Sequence, residues 1–333
     1  MTDMRNMLFK NAFTILLFFA VITGSVVGSD SVKVYTQKAA VALKNSNYRQ
    51  ALENYAHVLR LDSTNMEAIR NSGVAYSSLG NQNEARKCYL RALALDPKSA
   101  KTANSLGVIY SGEGNSREAI KYFQQAVTLD SSNALNLTNL GQEYARAGQI
   151  SKALPALRRA AMLSPDHPVI AYHLGNCFAS SGNLDSAEYY FSLSLESGGK
   201  TPELFYHLGT VKNMLGKSDE AEPFFKKGLA LNPEHISMLQ SLGLIYFSTG
   251  RYMEAIEQFS RAIKIDSVYY PAWMGLGASY SLSQMVPQAD SILFHLMAVD
   301  SAMGFQMLDI ISQEQIKRNK ARREASQKQN PEQ

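Results

Sequence analysis

Cysteine is nearly missing from this chain: Cys88 and Cys177 are two among 333 residues, and Trp273 is the single tryptophan. Two thiols, 89 residues apart, make no disulfide framework. Both read as small buried residues rather than redox or metal groups. An excess of one charge is missing as well. Lys and Arg number 33 against 29 Asp and Glu, a formal net charge of +4. The segment 304–333 alone carries six basic residues (Lys317, Arg318, Lys320, Arg322, Arg323, Lys328) against Asp309, Glu314, Glu324 and Glu332. The rest of the chain is close to balanced, so it has no basic stripe for tracking phosphates, and no nucleic-acid partner is expected. G-x-S-x-G, H-E-x-x-H, G-x-x-x-x-G-K-[ST] and a glycine-rich dinucleotide turn are absent too. No catalysis, cofactor or metal is therefore expected.

Long apolar runs are absent except at the start, where Ala12 to Ile22 read AFTILLFFAVI behind Arg5 and Lys10. With the small residues TGSVVGS following, 1–29 read as an export signal, placing the protein in the periplasm or outside the cell. The alternative is a retained membrane anchor over 12–28, at the short limit for a spanning helix. A membrane contact is expected only in that second case. No cysteine lies beside the cleavage region, which excludes a lipid-modified one there.

What the chain does have is a period. Glycine recurs at Gly73, Gly107, Gly141, Gly175, Gly209, Gly243 and Gly277, in steps of 34 without insertion. Alanine keeps phase with it from Ala51 and Ala85 through to Ala289, eight times. Each glycine sits in a stretch that otherwise reads as helix, where it costs about 1 kcal/mol relative to alanine. A cost repeated at fixed interval predicts a shared cause, two helix backbones passing too close for a side chain. A second series, Gly80, Gly114, Gly148, Gly182, Gly216 and Gly250, predicts helix ends closed by a left-handed residue. Pro155 and Pro223 share one position in the second helix of their units, which predicts that this helix starts late or bends there.

Within 270–303 the residues run Trp273-x2-Leu276-Gly277-x2-Tyr280, then Ala289 and Leu293; the unit before has Leu242-Gly243-x2-Tyr246, Ala255-x3-Phe259 and Ala262. These residues resemble the tetratricopeptide repeat family, whose signature is W-x2-L-G-x2-Y, A-x3-F and a closing proline. The proline stands at Pro97, Pro165 and Pro233; Ser63, Ser131, Ser267 and Ser301 replace it elsewhere and are expected to end one helix and cap the next. The resemblance covers 32–303. It implies an all-α, right-handed α-α superhelical solenoid of about eight 34-residue helix-turn-helix repeats: 32–65, 66–99, 100–133, 134–167, 168–201, 202–235, 236–269 and 270–303. Apolar Phe305, Leu308 and Ile311 predict a capping helix over 304–316, and the polar, basic 317–333 read as a disordered tail.

Function in a solenoid lies on an extended surface. Counting each unit from its first residue, position 5 of the first helix reads Arg70, Asn104, Thr138, Tyr172, Tyr206 and Gln240. Position 6 reads Asn71, Ser105, Asn139, His173, His207 and Ser241. Stacking sets these as parallel rows, with Gln142, Asn176 and Asn213 adding amides nearby. An amide both donates to and accepts from a peptide backbone, and tyrosine offers flat apolar area with a polar tip. The resemblance implies that these rows line a concave groove holding a peptide or protein partner. The carboxylate clamp some family members use is not reproduced, since Arg70 is followed by Val74 where asparagine is needed. His173 and His207 stand one repeat apart, too far to share an ion. The leading reading is thus a non-catalytic interaction scaffold. A self-associating structural component and an accessory subunit of a separate enzyme stay open.

Overall fold

The computed structural model of the chain describes residues 30–329; the export-signal, anchor and chain-end expectations at 1–29 and 330–333 lie outside them. The described residues form helices joined by short turns, without strands. They divide after Pro165 into two compact units. The first holds α1 (30–44), α2 (Tyr48–Leu61), α3 (Met66–Ser78), α4 (Gln82–Leu95), α5 (Ala100–Gly112), α6 (Ser116–Leu129), α7 (Ala134–Arg146) and α8 (Ile150–Leu163). The second holds α9 (Pro168–Ser180), α10 (Leu184–Glu196), α11 (Pro202–Met214), α12 (Ser218–Leu231), α13 (Ile236–Ser248), α14 (Tyr252–Ile265), α15 (Tyr270–Leu282), α16 (Val286–Val299) and α17 (Ser301–Gln329). From α3 to α16 each odd helix packs on the even helix after it, and within each unit the even helix packs on the next odd one. This is the all-α solenoid arrangement, with a seam of core in place of a central cavity.

The periodic glycines have a different cause from the one their spacing predicts. A methyl group on Gly107 would lie 2.5 Å from Cδ1 of Phe123; on Gly175, 2.6 Å from Cδ1 of Phe191; on Gly209, 2.9 Å from Cε1 of Phe225. From Gly73 to Gly243 what lies nearest is the side chain sixteen residues on, presented by the partner helix; only at Gly141, beside Leu157, does partner backbone also come close, the Ala153 carbonyl at 3.3 Å. Glycine and aromatic ring are two halves of one contact, which is why the alanines one turn before the rings are buried with them. Gly107→Ala therefore forces the Phe123 ring to shift. Overpacking costs about 1–3 kcal/mol, only partly offset by the better helix propensity of alanine. Gly112→Ala, in the last turn of the same helix with no neighbour within 4 Å, is expected to gain about 0.5 kcal/mol. Urea titrations of both variants check the contrast, and equal shifts would refute the steric account.

The turn glycines behave as expected. Gly80, Gly114, Gly148, Gly182, Gly216 and Gly250 have φ between 72° and 80°, and Ser46 (58°) and Gln284 (62°) hold the same conformation at the same repeat position. Asn81, Asn115 and Asn183 follow three of these glycines and cap α4, α6 and α10 through their side-chain oxygens. At the other helix ends the expected serines do not cap the next helix: Asn65 caps α3 and Asn133 caps α7, while the aspartate before the serine ties the turn. Asp62 Oδ1 accepts from Thr64 N at 3.0 Å, and Asp266 Oδ1 from Val268 N at 3.0 Å.

Of the two readings of the repeated prolines the late start is excluded: α8 and α12 begin at Ile150 and Ser218 and carry Pro155 and Pro223 inside. Both prolines and the residues four before them, Ser151 and Asp219, are exposed, so the carbonyls they leave unpaired face water. The basic tail is not disordered through its length either, because α17 runs to Gln329. Lys, Arg, Ala, Glu and Gln dominate 317–329 and no proline interrupts it, a composition that favours helix once a docked segment has nucleated it. The helix also begins at Ser301, ahead of the expected 304.

Candidate functional site

In the first unit the rows are joined side chain to side chain. Asn139 Nδ2 on α7 donates to Asn104 Oδ1 on α5 at 2.9 Å, linking position 6 of one repeat to position 5 of the one before. Asn71 is turned inward, its Nδ2 donating to the hydroxyl of buried Tyr55 at 3.0 Å. Arg70 and Gln142 are half-buried, and Arg70 Nε has no protein partner. One polar residue escapes the row pattern. Glu143 is 1 % exposed at a position filled elsewhere by Ala75, Ile109, Cys177, Val211, Ile245 and Ser279. Ser111 Oγ donates to its carboxylate at 2.6 Å, and Arg146 Nη1 donates to that hydroxyl at 3.0 Å and to the Ser111 carbonyl at 2.8 Å. A lone carboxylate in a column otherwise free of acidic and basic side chains was the sequence signal.

In the second unit the same step of 35 residues joins aromatic rings. Tyr172 on α9 lies 5.8 Å from His207 on α11, and Phe191 stacks on His207 at 5.6 Å with planes 10° apart. Tyr206 touches both His207 (5.4 Å) and His235 (5.2 Å). Burial pushes the His173 pKa down to about 4. Burial also lowers that of His207, helped by His235 and opposed by the Glu203 carboxylate. Both imidazoles are thus neutral members of an apolar cluster at pH 7. Among the described residues no three His, Cys, Asp or Glu side chains come together as a metal site would need. Burial raises the Tyr172 phenol, against the hydrogen bond it shares with Asn176.

Beside this cluster α9, α10 and α11 enclose a cleft of ≈ 350 Å³. Pro168, Val169, Tyr172, His173 and Leu204 supply its apolar wall, and Ser194, Thr201 and Glu203 its polar edge. Its opening follows from an irregular turn. Where α2, α4, α6, α12, α14 and α16 end on Asp or Asn, α10 runs into Ser197-Gly198-Gly199-Lys200, with Gly198 at φ 92°. Gly199 lines the cleft, and a methyl group there would meet the Ser194 carbonyl at 2.8 Å. Two expected amides serve otherwise. Asn213 accepts from Ser218 Oγ at 2.8 Å in the turn after α11, and Gln240 borders a gap beneath α17, its Oε1 without a partner. Cys177 is buried, its thiol pushed up to about 11 by that burial, while Cys88 is only half-buried; both are free. No described helix is long and apolar enough to cross a membrane.

Similarity to known proteins agrees with this architecture. The tetratricopeptide repeat description matches residues 66–132, 138–202 and 202–235, and a further TPR repeat matches 243–283. Among curated proteins none matches the chain. Among solved structures, a tetratricopeptide repeat protein from Parabacteroides merdae superposes with TM-score 0.57 at 15% identity over 75% of this chain and 99% of its own. PilW, described as a widely conserved type IV pilus biogenesis factor, gives 0.57 at 23% identity, covering 63% of this chain and 98% of its own. PilF of Pseudomonas aeruginosa gives 0.57 at 19% identity over 63% and 96%. At these identities the likeness is one of fold alone. With its phased glycines, its paired helices and these matches, the chain belongs to the tetratricopeptide repeat family.

Proposed function

We propose that this chain is a non-catalytic scaffold that binds a protein or peptide partner on the odd-helix surface of its repeats, in the cell envelope. The observation that carries the reading is the cleft beside Tyr172 and His173, apolar in its wall, uncharged in its floor, and bordered by one exposed carboxylate, Glu203. Such a cleft suits one or two large side chains of an extended partner, while Asn176 in the same unit suits its backbone. No nucleophile and base meet at the cleft, which favours recognition over reaction. The basic start and apolar core of residues 1–29 support export.

The test is cross-linked affinity purification of the full chain from native cells beside a Val169→Asp variant. Val169 is 46% exposed, so the variant stays folded and places a charge in the cleft wall. A partner recovered with the wild type and reduced at least about 10-fold by the variant is expected. Equal recovery would end the cleft reading and move the role to the other surfaces or to self-association.

A further inference from the structure

The last helix does more than close the stack. In the preceding repeats the glycine of the odd helix faces a side chain of its own partner helix, a ring in all but Gly141, which faces Leu157; at Gly277 the nearest atoms belong to Met307 of α17. A methyl group there would lie 2.6 Å from the Met307 sulfur. From that anchor α17 runs back over earlier helices. Ile310 lines one gap with Gln240, Leu244 and Phe247 of α13, which are positions 5, 9 and 12 of their repeat. One turn further Glu314 is buried, and the Arg318 guanidinium sits 4.4 Å over the Tyr252 ring and against Gly250. Positions 5 and 9 belong to the surface that carries Tyr172 and Asn176 in an earlier repeat. The chain thus lays its own amphipathic helix on that surface.

The fit is incomplete. A gap of ≈ 200 Å³ remains among Gln240, Leu244, Phe247, Pro271, Met274 and Ile310. Gln240 Oε1 and the hydroxyl of buried Tyr252 find no hydrogen-bond partner in the protein. Phe305 and Ile316 of α17 stay 62% and 65% exposed. A helix that filled the gap and supplied a donor to Gln240 would bind better than α17 does.

We propose that the face formed by α13, α15 and the turn at Gly250 is a docking site for an amphipathic partner helix, and that α17 is its resident, displaceable occupant. The partner helix carries aliphatic or methionine side chains at the spacing of Met307, Ile310 and Ile311, and a guanidinium two to three turns on for Tyr252. The charges of this face fit that choice: Arg318 is held there by the Tyr252 face and by Glu314 at 3.6 Å. The proposal rests on reading the odd-helix surface as the partner surface, but it uses none of the residues of the α9–α11 cleft.

The test uses the full chain and a fluorescein-labelled synthetic peptide of residues 301–321 as the probe helix. In the Ile310→Asp variant α17 is released, read as trypsin cleavage after Lys317 and Arg318 at least about 10-fold faster than in wild type. The peptide then binds this variant at least about 10-fold more tightly than wild type by anisotropy. Adding Leu244→Asp, at a position 49% exposed, removes that binding. If Ile310→Asp loses its helical circular dichroism, Arg318→Glu takes its place, because Arg318 is half-exposed and holds only the far end of α17. Equal peptide binding by wild type and variant, no binding once α17 is released, or indifference to Leu244→Asp would each overturn the proposal. Failure at Val169 with success here would discard the cleft and keep this face; the reverse result would do the opposite.

Discussion

Phe259→Ala is expected to cost the second unit about 3–5 kcal/mol, the range for truncating a fully buried aromatic side chain. Phe259 has no exposed surface, and its ring is held between two glycines on different helices. A methyl group on Gly243 would lie 2.6 Å from its Cε1, and one on Gly275 2.5 Å from its Cζ. Where the ring meets these two glycines, the wall of the hole left by truncation is main chain of α13 and α15, which cannot collapse inward as side chains do. The effect is also topological. Repeat stacks are held by nearest-neighbour contacts, so losing the ring weakens the coupling of α13 and α14 to α15 and α16. Urea unfolding followed by circular dichroism should show a lowered midpoint and a separate early transition for 270–329. A loss below about 1 kcal/mol would mean that the two backbones relax into the space, and the account of Gly243 and Gly275 would be wrong.

The same contact marks how far the sequence could be read. The 34-residue period, the helix type, the turn glycines and the order of elements were legible because they repeat in phase, and each copy restates the others. The cause of the period was not. Glycine reports only that something is close, and whether that is a backbone or a ring depends on the residue sixteen positions on. The rows at positions 5 and 6 were legible as neighbours, and the Asn104–Asn139 and Tyr172–His207 contacts follow from that register. Which members turn inward was not legible, since Asn71 and Arg70 carry no sign of what the previous repeat offers them. The cleft had a signal that periodicity hides: Ser197-Gly198-Gly199-Lys200 breaks the Asp-led turn. The capping part of α17 was legible, but its basic part, 317–329, was misread because charged residues suit both a solvated coil and a solvated helix, and only continuation from the docked Met307 and Ile311 separates the two.

Acidification is expected to destabilise the second unit well above the range where carboxylates titrate. His173 has its pKa lowered from 6.5 to about 4 by burial, with no charged neighbour opposing the shift. Below pH 6.5 the unfolded chain takes up a proton at this site that the folded chain refuses until about pH 4. Stability is therefore complete above 6.5 and falls as pH falls, by about 3 kcal/mol across the whole window. His207 acts in the same direction, tempered by Glu203. The ion-paired Glu188 and Glu222 have pKa values lowered from 4.5, so their contributions are lost only at more acid pH. The interval from pH 7 to 5 isolates the histidines. Wild type should lose about 2 kcal/mol there in urea titrations, and His173→Gln, which places an uncharged amide at the site, distinctly less. Equal losses would show that His173 is solvated and ordinary. Because His173 also lines the cleft, the proton that loosens the unit puts a charge into the floor that an apolar side chain would occupy. If the cleft holds the partner, binding should weaken with stability over the same pH interval, and His173→Gln should flatten both.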